Sequence, residues 1–232
     1  MDALLATQRE AIVQATRLLY QAGVLSASGH GNVSVRLPEP ETMLLSSVST
    51  IARLALDQIA RVRFDGTVLD GALDPASAEI VAMHAGVYRV RPEVQAIIHT
   101  HSPHVTSYAL AHRPLPCRYE ALLRLGVAED IPVAAWGPRG SPASVTNITS
   151  ALQAHLGVPA VLLANHGLLA FGPDVATAAR LVIAMEEAAQ MTLGAERLGG
   201  AQPFPPGALE QVRERLAQFG SAPAVPPSPA HR

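Results

Sequence analysis

A chain of 232 residues, 49% of them hydrophobic, can bury one continuous core and reads as one domain with a tail rather than two small domains. Seventeen basic against nineteen acidic residues leave a formal charge of -2, so there is no global attraction to phosphate backbones or anionic membranes, and neither nucleic acid nor a membrane is the expected partner. The single cysteine, Cys117, excludes an intramolecular disulfide and a cysteine-based zinc site, and makes a reducing cytoplasm the expected compartment.

Residues 4–20 place Leu5, Ile12, Ala15, Leu18 and Leu19 near a 3.6-residue period before Gly23, which predicts an opening amphipathic helix. Charges within this segment distinguish it from a signal peptide, and no run approaches the ~20 apolar residues of a membrane helix. Residues 32–37 alternate polar and apolar, and residues 43–45 follow across a Pro-Glu-Pro turn, so two short strands are expected. Asp65-Gly66 signals a further hairpin between residues 61–64 and 67–69. Asp74-Pro75 reads as an N-cap with proline at the first helical position, opening a helix that continues through Arg89 and holds Glu79 in its first turn. Residues 94–99 form an apolar strand, Ser102-Pro103 opens a helix to about Ala111, and a helix is expected at 143–156. A second short apolar strand, 160–164, also ends near a histidine, and a long alanine-rich helix follows Asp174 to about Leu198. The organisation expected is a domain over 1–200, a helical extension over 201–218 and a disordered Pro/Ala-rich tail over 219–232.

Residues two apart in a strand share a face, so His99 and His101 in Ile-Ile-His-Thr-His can direct two imidazoles to one point. His166, in Leu-Leu-Ala-Asn-His-Gly, would complete a three-nitrogen set with an open position for water or substrate, as catalytic metal sites have. Any one of these histidines alone would be an ordinary surface or core residue; their clustering at strand ends, where ligand crevices commonly lie, points to a metal. Glu79 by position alone is equally a helix-dipole partner. His84, His112 and His155 read as helix-face residues, His104 as unnecessary to the set, and His30, in a glycine loop, as a substrate contact.

The ordered set Gly31-Asn32-Val33-Ser34-Val35-Arg36, Ser77-Ala78-Glu79, His99-Thr100-His101 and Asn165-His166-Gly167 resembles the class II aldolase/adducin family over about residues 5–200. The resemblance implies a single-domain, three-layer α/β fold with a central sheet flanked by helices. It also implies a homotetramer with sites at subunit interfaces, and one divalent ion per chain held by His99, His101 and His166. Zinc is the leading ion, with manganese, cobalt or iron as alternatives. It makes Glu79 the acid/base group, able to approach the metal when no substrate is bound. It suggests Tyr119 as a group that assists protonation from a neighbouring subunit.

Substrate contacts implied by the same motifs are Ser28, His30, Gly31, Asn32, Ser46, Ser47 and Ser77. The family's sugar-phosphate clamp has a Thr-Pro-Thr-Gly-like turn and a Ser-Ser pair. Here these read Ser46-Ser47-Val48-Ser49 and Ser77-Ala78, so a non-phosphorylated hydroxy- or oxo-acid is favoured slightly over a sugar phosphate. The segments 28–32 and 113–120 also resemble a branch with aromatic-acid decarboxylases and prenylated phenylpyruvate oxygenases. The expected activity is cleavage of a C–C bond, by retro-aldol reaction or decarboxylation, through a metal-stabilised enediolate. An iron oxygenase using the same ligands and a non-catalytic, adducin-like interaction module are the alternatives.

Overall fold

The computed structural model describes residues 2–220; the expected tail lies, from residue 221, outside the described residues. Helix α1 (Asp2–Gln21) buries Leu5, Ile12, Val13, Ala15 and Leu19 on one face, the stripe that its sequence period sets. Strands β1 (Gly31–Arg36), β2 (Thr42–Ser46), β3 (Ile59–Arg63) and β4 (Val68–Asp70) follow as an antiparallel meander. At the β3–β4 turn the Asp65 carboxylate accepts from the Thr67 amide at 2.9 Å, the bond that makes Asp-Gly a turn former.

The helix expected over 77–89 is interrupted. A one-turn helix, α2 (Pro75–Ala78), is closed by Glu79, and α3 (Val81–Val90) starts afresh. The Ile80 amide reaches back three residues to the Ser77 carbonyl, and the Glu79 amide makes only a long 3.4 Å bond to Pro75, so the α-helical ladder tightens and breaks there. Glu79 therefore ends a helix instead of sitting in the first turn of one. Nor does the Asp74 side chain cap α2; its main-chain carbonyl takes the Ser77 and Ala78 amides.

Beyond α3 come β5 (Ala96–Thr100), α4 (Pro103–Leu110), α5 (Glu120–Arg124), β6 (Val133–Ala134), α6 (Pro142–Ala154) and β7 (Ala160–Leu163). Then come β8 (Gly167–Gly172), α7 (Val175–Glu196) and α8 (Ala208–Gly220). Strand β8 was not among the expected elements. Its Gly-Leu-Leu-Ala-Phe-Gly run is apolar on both faces, so it lacks the alternation that marks a half-exposed strand.

The strands form one sheet in the order β4-β3-β2-β1-β5-β8-β7-β6, antiparallel except for the β6–β7 pair. Alternate residues feed two cores. Val33, Val35, Ile98, Leu168 and Ala170 meet α1, α4, α5 and α7 on one face. Ile97, Val161, Leu169 and Phe171 meet α3 and α6 on the other. The result is the single-domain, three-layer α/β arrangement, with β5 inside it and buried along its whole length. Ile97 and Ile98 are both fully buried, each stabilising the fold by roughly 1.5–3 kcal/mol, so the strand carrying the histidines is anchored from both sides.

Candidate metal centre

His99 faces the α3/α6 side with Ile97, and His101, one residue beyond the end of β5, continues that side. Because β8 runs antiparallel to β5, its beginning lies beside the end of β5, with Thr100 opposite Leu168. His166 immediately precedes β8, in the turn from β7. Asn165 takes the left-handed conformation there, at φ 57°, which asparagine tolerates better than most residues. Its amide donates to the Ala109 carbonyl and its Oδ1 accepts from His112 Nε2 at 2.6 Å, so the turn is tied to the end of α4. Gly167 admits the close approach: a Cβ there would lie 2.5 Å from the Thr100 carbonyl oxygen.

The three rings consequently form a triangle with centroid separations of 4.9 Å (His99–His101), 4.7 Å (His99–His166) and 4.9 Å (His101–His166). One nitrogen from each lies within 4.8 Å of the others. His99 Nδ1–H donates to the Leu168 carbonyl at 2.8 Å, which leaves Nε2 with its lone pair toward the cluster. His99 Nε2 and His101 Nε2 are 3.1 Å apart. Two ligands of a tetrahedral zinc at ~2.05 Å would be separated by about 3.3 Å, so the donor set fits a small divalent cation. Burial, reinforced by the neighbouring rings, holds His99 far below the usual imidazole range and takes His101 down to about 4. Burial first, and Arg139 second, also lower His166. All three are thus neutral at pH 7, the form in which imidazole binds metal.

The rings line a cavity of about 40 Å³, shared with His30, Gly31 and Arg139. Glu79 lies outside the triangle, half-exposed, with its Oε2 3.8 Å from Arg139 Nε. Arg139 was not among the expected site residues. A basic residue in a Gly-Pro-Arg-Gly loop carries no sign of which sheet end it will meet, and only the packing of that loop beside α2 brings it here.

Other expected contacts separate into groups. Asn32 is opposite His99 in the sheet, and its Oδ1 accepts from His84 Nε2 at 2.6 Å. Ser77 is buried with no partner for its hydroxyl. Ser47 is buried, and its carbonyl accepts from the Asp74 amide ahead of α2. Ser46 is fully buried with Oγ accepting from the Val33 amide at 3.1 Å, a bond internal to the sheet. Ser28 pairs with Ser26 and lines a different concavity with Gly29 and Arg53. Tyr119 precedes α5 and packs on the opposite core, where Glu187 pushes its phenol up; within one chain it does not line the histidine cavity.

His84, read from sequence as a helix-face residue, is instead the centre of a fully buried chain of hydrogen bonds. Tyr88 O–H donates to Ser34 Oγ at 2.8 Å, Ser34 O–H donates to His84 Nδ1 at 2.7 Å, and His84 Nε2–H donates to Asn32. Every member is satisfied and one imidazole tautomer is fixed. Burial takes His84 down to about 3, so it stays neutral.

A model of the Class II Aldolase and Adducin N-terminal domain matches residues 10–193. A 3-oxo-tetronate 4-phosphate decarboxylase of Haemophilus influenzae is 32% identical over 192 residues, 79% of this chain and 86% of that one. A 5-methylthioribulose-1-phosphate/5-deoxyribulose-1-phosphate aldolase of Rhodospirillum rubrum is 27% identical over 222 residues, 96% of each chain. A solved L-fuculose 1-phosphate aldolase superposes with a TM-score of 0.77 at 25% identity, covering 91% of this chain and 97% of that one.

Proposed function

The chain belongs to the class II aldolase/adducin family, and from that membership we propose that it is a metal-dependent lyase cleaving a C–C bond of a hydroxy- or oxo-acid or a sugar-derived substrate. The observation that carries the reading is the triangle of neutral imidazoles, whose nitrogens converge at the edge of a cavity shared with His30 and Arg139. His99, His101 and His166 are the proposed ligands, with zinc ahead of manganese, cobalt or iron. When bound, the ion supplies Lewis-acid stabilisation of negative charge that develops on a substrate carbonyl oxygen.

The protein's own groups do the rest. Glu79 is the proposed acid/base group, because it ends α2 with its carboxylate 3.8 Å from Arg139, a residue that lines the cavity, and is exposed enough to rotate. A positioned carboxylate of this kind contributes typically ~10²–10⁴-fold to proton transfer. Retro-aldol cleavage and decarboxylation both leave an electron pair on the carbon next to the carbonyl, and Glu79 would deliver the proton that quenches it. His30 and Gly31, which line the cavity, are the proposed substrate contacts, together with Asn32, held by the His84 chain, Ser77, with its unpartnered buried hydroxyl, and Ser47. Ser46 and Ser28 are the weakest members of the expected set, since one hydroxyl is spent inside the sheet and the other faces elsewhere. Tyr119 could serve only a site in another copy of the chain, so its role is proposed jointly with the homotetramer. A reducing cytoplasm is proposed on the strength of the single unpaired Cys117; no helix of the described residues is long and apolar enough to cross a membrane.

The test is Glu79→Gln, assayed against hydroxy- and oxo-acids and sugar phosphates with and without oxygen. Turnover should fall by at least ~10²-fold while metal content is unchanged. Full activity in the variant would remove Glu79 from the mechanism, and substrate loss that requires oxygen would replace the lyase reading with an oxygenase.

A further inference from the structure

The loop between β6 and α6 brings a cation to the mouth of the cavity. Arg139 lines it, its Nη2 donates to the Ala76 carbonyl of α2, and its Nε stands 3.8 Å from Glu79 Oε2. The loop is fixed where it touches α2: Gly140, at φ 74°, packs so closely that a Cβ would lie 2.9 Å from the Glu79 Cβ. The Arg139 side chain itself is 40% exposed, and so is the movable part. The cavity it helps to enclose is small, about 40 Å³, and is lined on other sides by His99, His101 and His166.

The charge at the cavity bears on what enters. Arg139 places a positive charge beside His101 and His166, and the negative charge paired with it is Glu79. A guanidinium recognises planar or tetrahedral oxyanions with paired N–H donors, and does so more strongly than at a 3.8 Å contact of this kind.

We propose that Arg139 is a specificity-determining residue that exchanges partners. It pairs with Glu79 in the free protein and transfers to an oxyanion of the substrate, a carboxylate or a phosphate, when the substrate enters, which releases Glu79 to handle a proton. The inference deepens the lyase reading and rests on it for the meaning of Glu79, but anion binding by Arg139 is measurable without turnover.

The experiment is titration calorimetry of malonate and of inorganic phosphate into metal-loaded wild-type protein, Arg139→Gln, Arg139→Lys and Glu79→Gln, with metal content determined for each. The exchange requires that wild type binds one of the two anions and that Arg139→Gln weakens it at least tenfold. Arg139→Lys should recover only part of the loss, and Glu79→Gln should bind more tightly than wild type because the internal competitor is gone. A merely structural Arg139 would not produce that tightening. Malonate binding without phosphate identifies a carboxylate substrate, and the reverse a phosphorylated one. Equal affinity in Arg139→Gln, no tightening in Glu79→Gln, or no binding to wild type overturns the exchange. Loss of metal from wild type on purification would instead count against the lyase reading.

Discussion

At the scale of single residues, the site rests on side chains whose partners fix their protonation. His84 is the case with a consequence for stability. Its folded-state value of about 3 lies below the ordinary 6.5, so between those values the unfolded chain binds the proton and the folded chain does not. Stability therefore falls as pH drops through that window, at up to about 1.4 kcal/mol per pH unit from this residue, and is unaffected by it above pH 6.5. In His84→Gln, which can still bridge Ser34 and Asn32, the melting temperature should fall less steeply between pH 6 and 4 than in wild type. Parallel curves would show that His84 is not the group responsible. The same buried chain explains why Asn32 was legible in the sequence only as part of a motif. The residues that orient it, Ser34, His84 and Tyr88, are spread over two elements, and nothing in their local spacing announces that they meet.

At the scale of elements, α4 begins two residues after His101, and its N-terminus is held by a carboxylate from a distant helix. Glu186 of α7, buried, accepts from the His104 amide at 2.9 Å, the Val105 amide at 2.9 Å and His104 Nδ1 at 2.7 Å. It supplies the cap that the Ser102 side chain does not provide, and places negative charge at the positive end of the helix. Glu186→Ala leaves two buried amides unsatisfied and should cost roughly 3 kcal/mol, lowering the melting temperature by about 5–10 °C. A change under ~1 kcal/mol in denaturant unfolding would mean water replaces the cap. Sequence reading places Glu186 near the middle of a long helix, where a glutamate is ordinarily solvent-facing. Its partners are 81 and 82 residues away, and only the docking of α7 on α4 reveals the role. By contrast α1, β1, β2 and the β3–β4 hairpin were legible because each carries its own period or turn chemistry. The break between α2 and α3 was not, because it arises from a three-residue hydrogen-bond step that no proline or glycine marks.

At the scale of the whole molecule, the three candidate ligands His99, His101 and His166 sit at the ends of central strands in a sheet covered on both faces, so the two cores do not depend on an ion for their burial. Metal removal should accordingly leave helix and strand content intact by circular dichroism while lowering the melting temperature by roughly 10 °C, through the loss of a ligand that binds only the folded state. His99→Ala should reduce bound metal from about one ion per chain to background with the secondary structure retained. Unfolding on chelation would mean that the ion is structural.

The sequence by itself determined most of the elements and the residue types of the candidate site, while the α/β layering followed from its resemblance to a known family. Periodicity, capping and strand alternation are local, and they act within a few residues whatever the rest of the chain does. Only the tertiary structure decided that β8 exists and lies beside β5. That pairing sets His166 against His99, whose ring donates to a carbonyl 69 residues away. It also decided that Arg139 faces Glu79 and that Tyr119 lies on the other side of the sheet. Such meetings depend on strand order and on which face each helix covers, and those are fixed by burying all the apolar surface at once, which no single segment encodes.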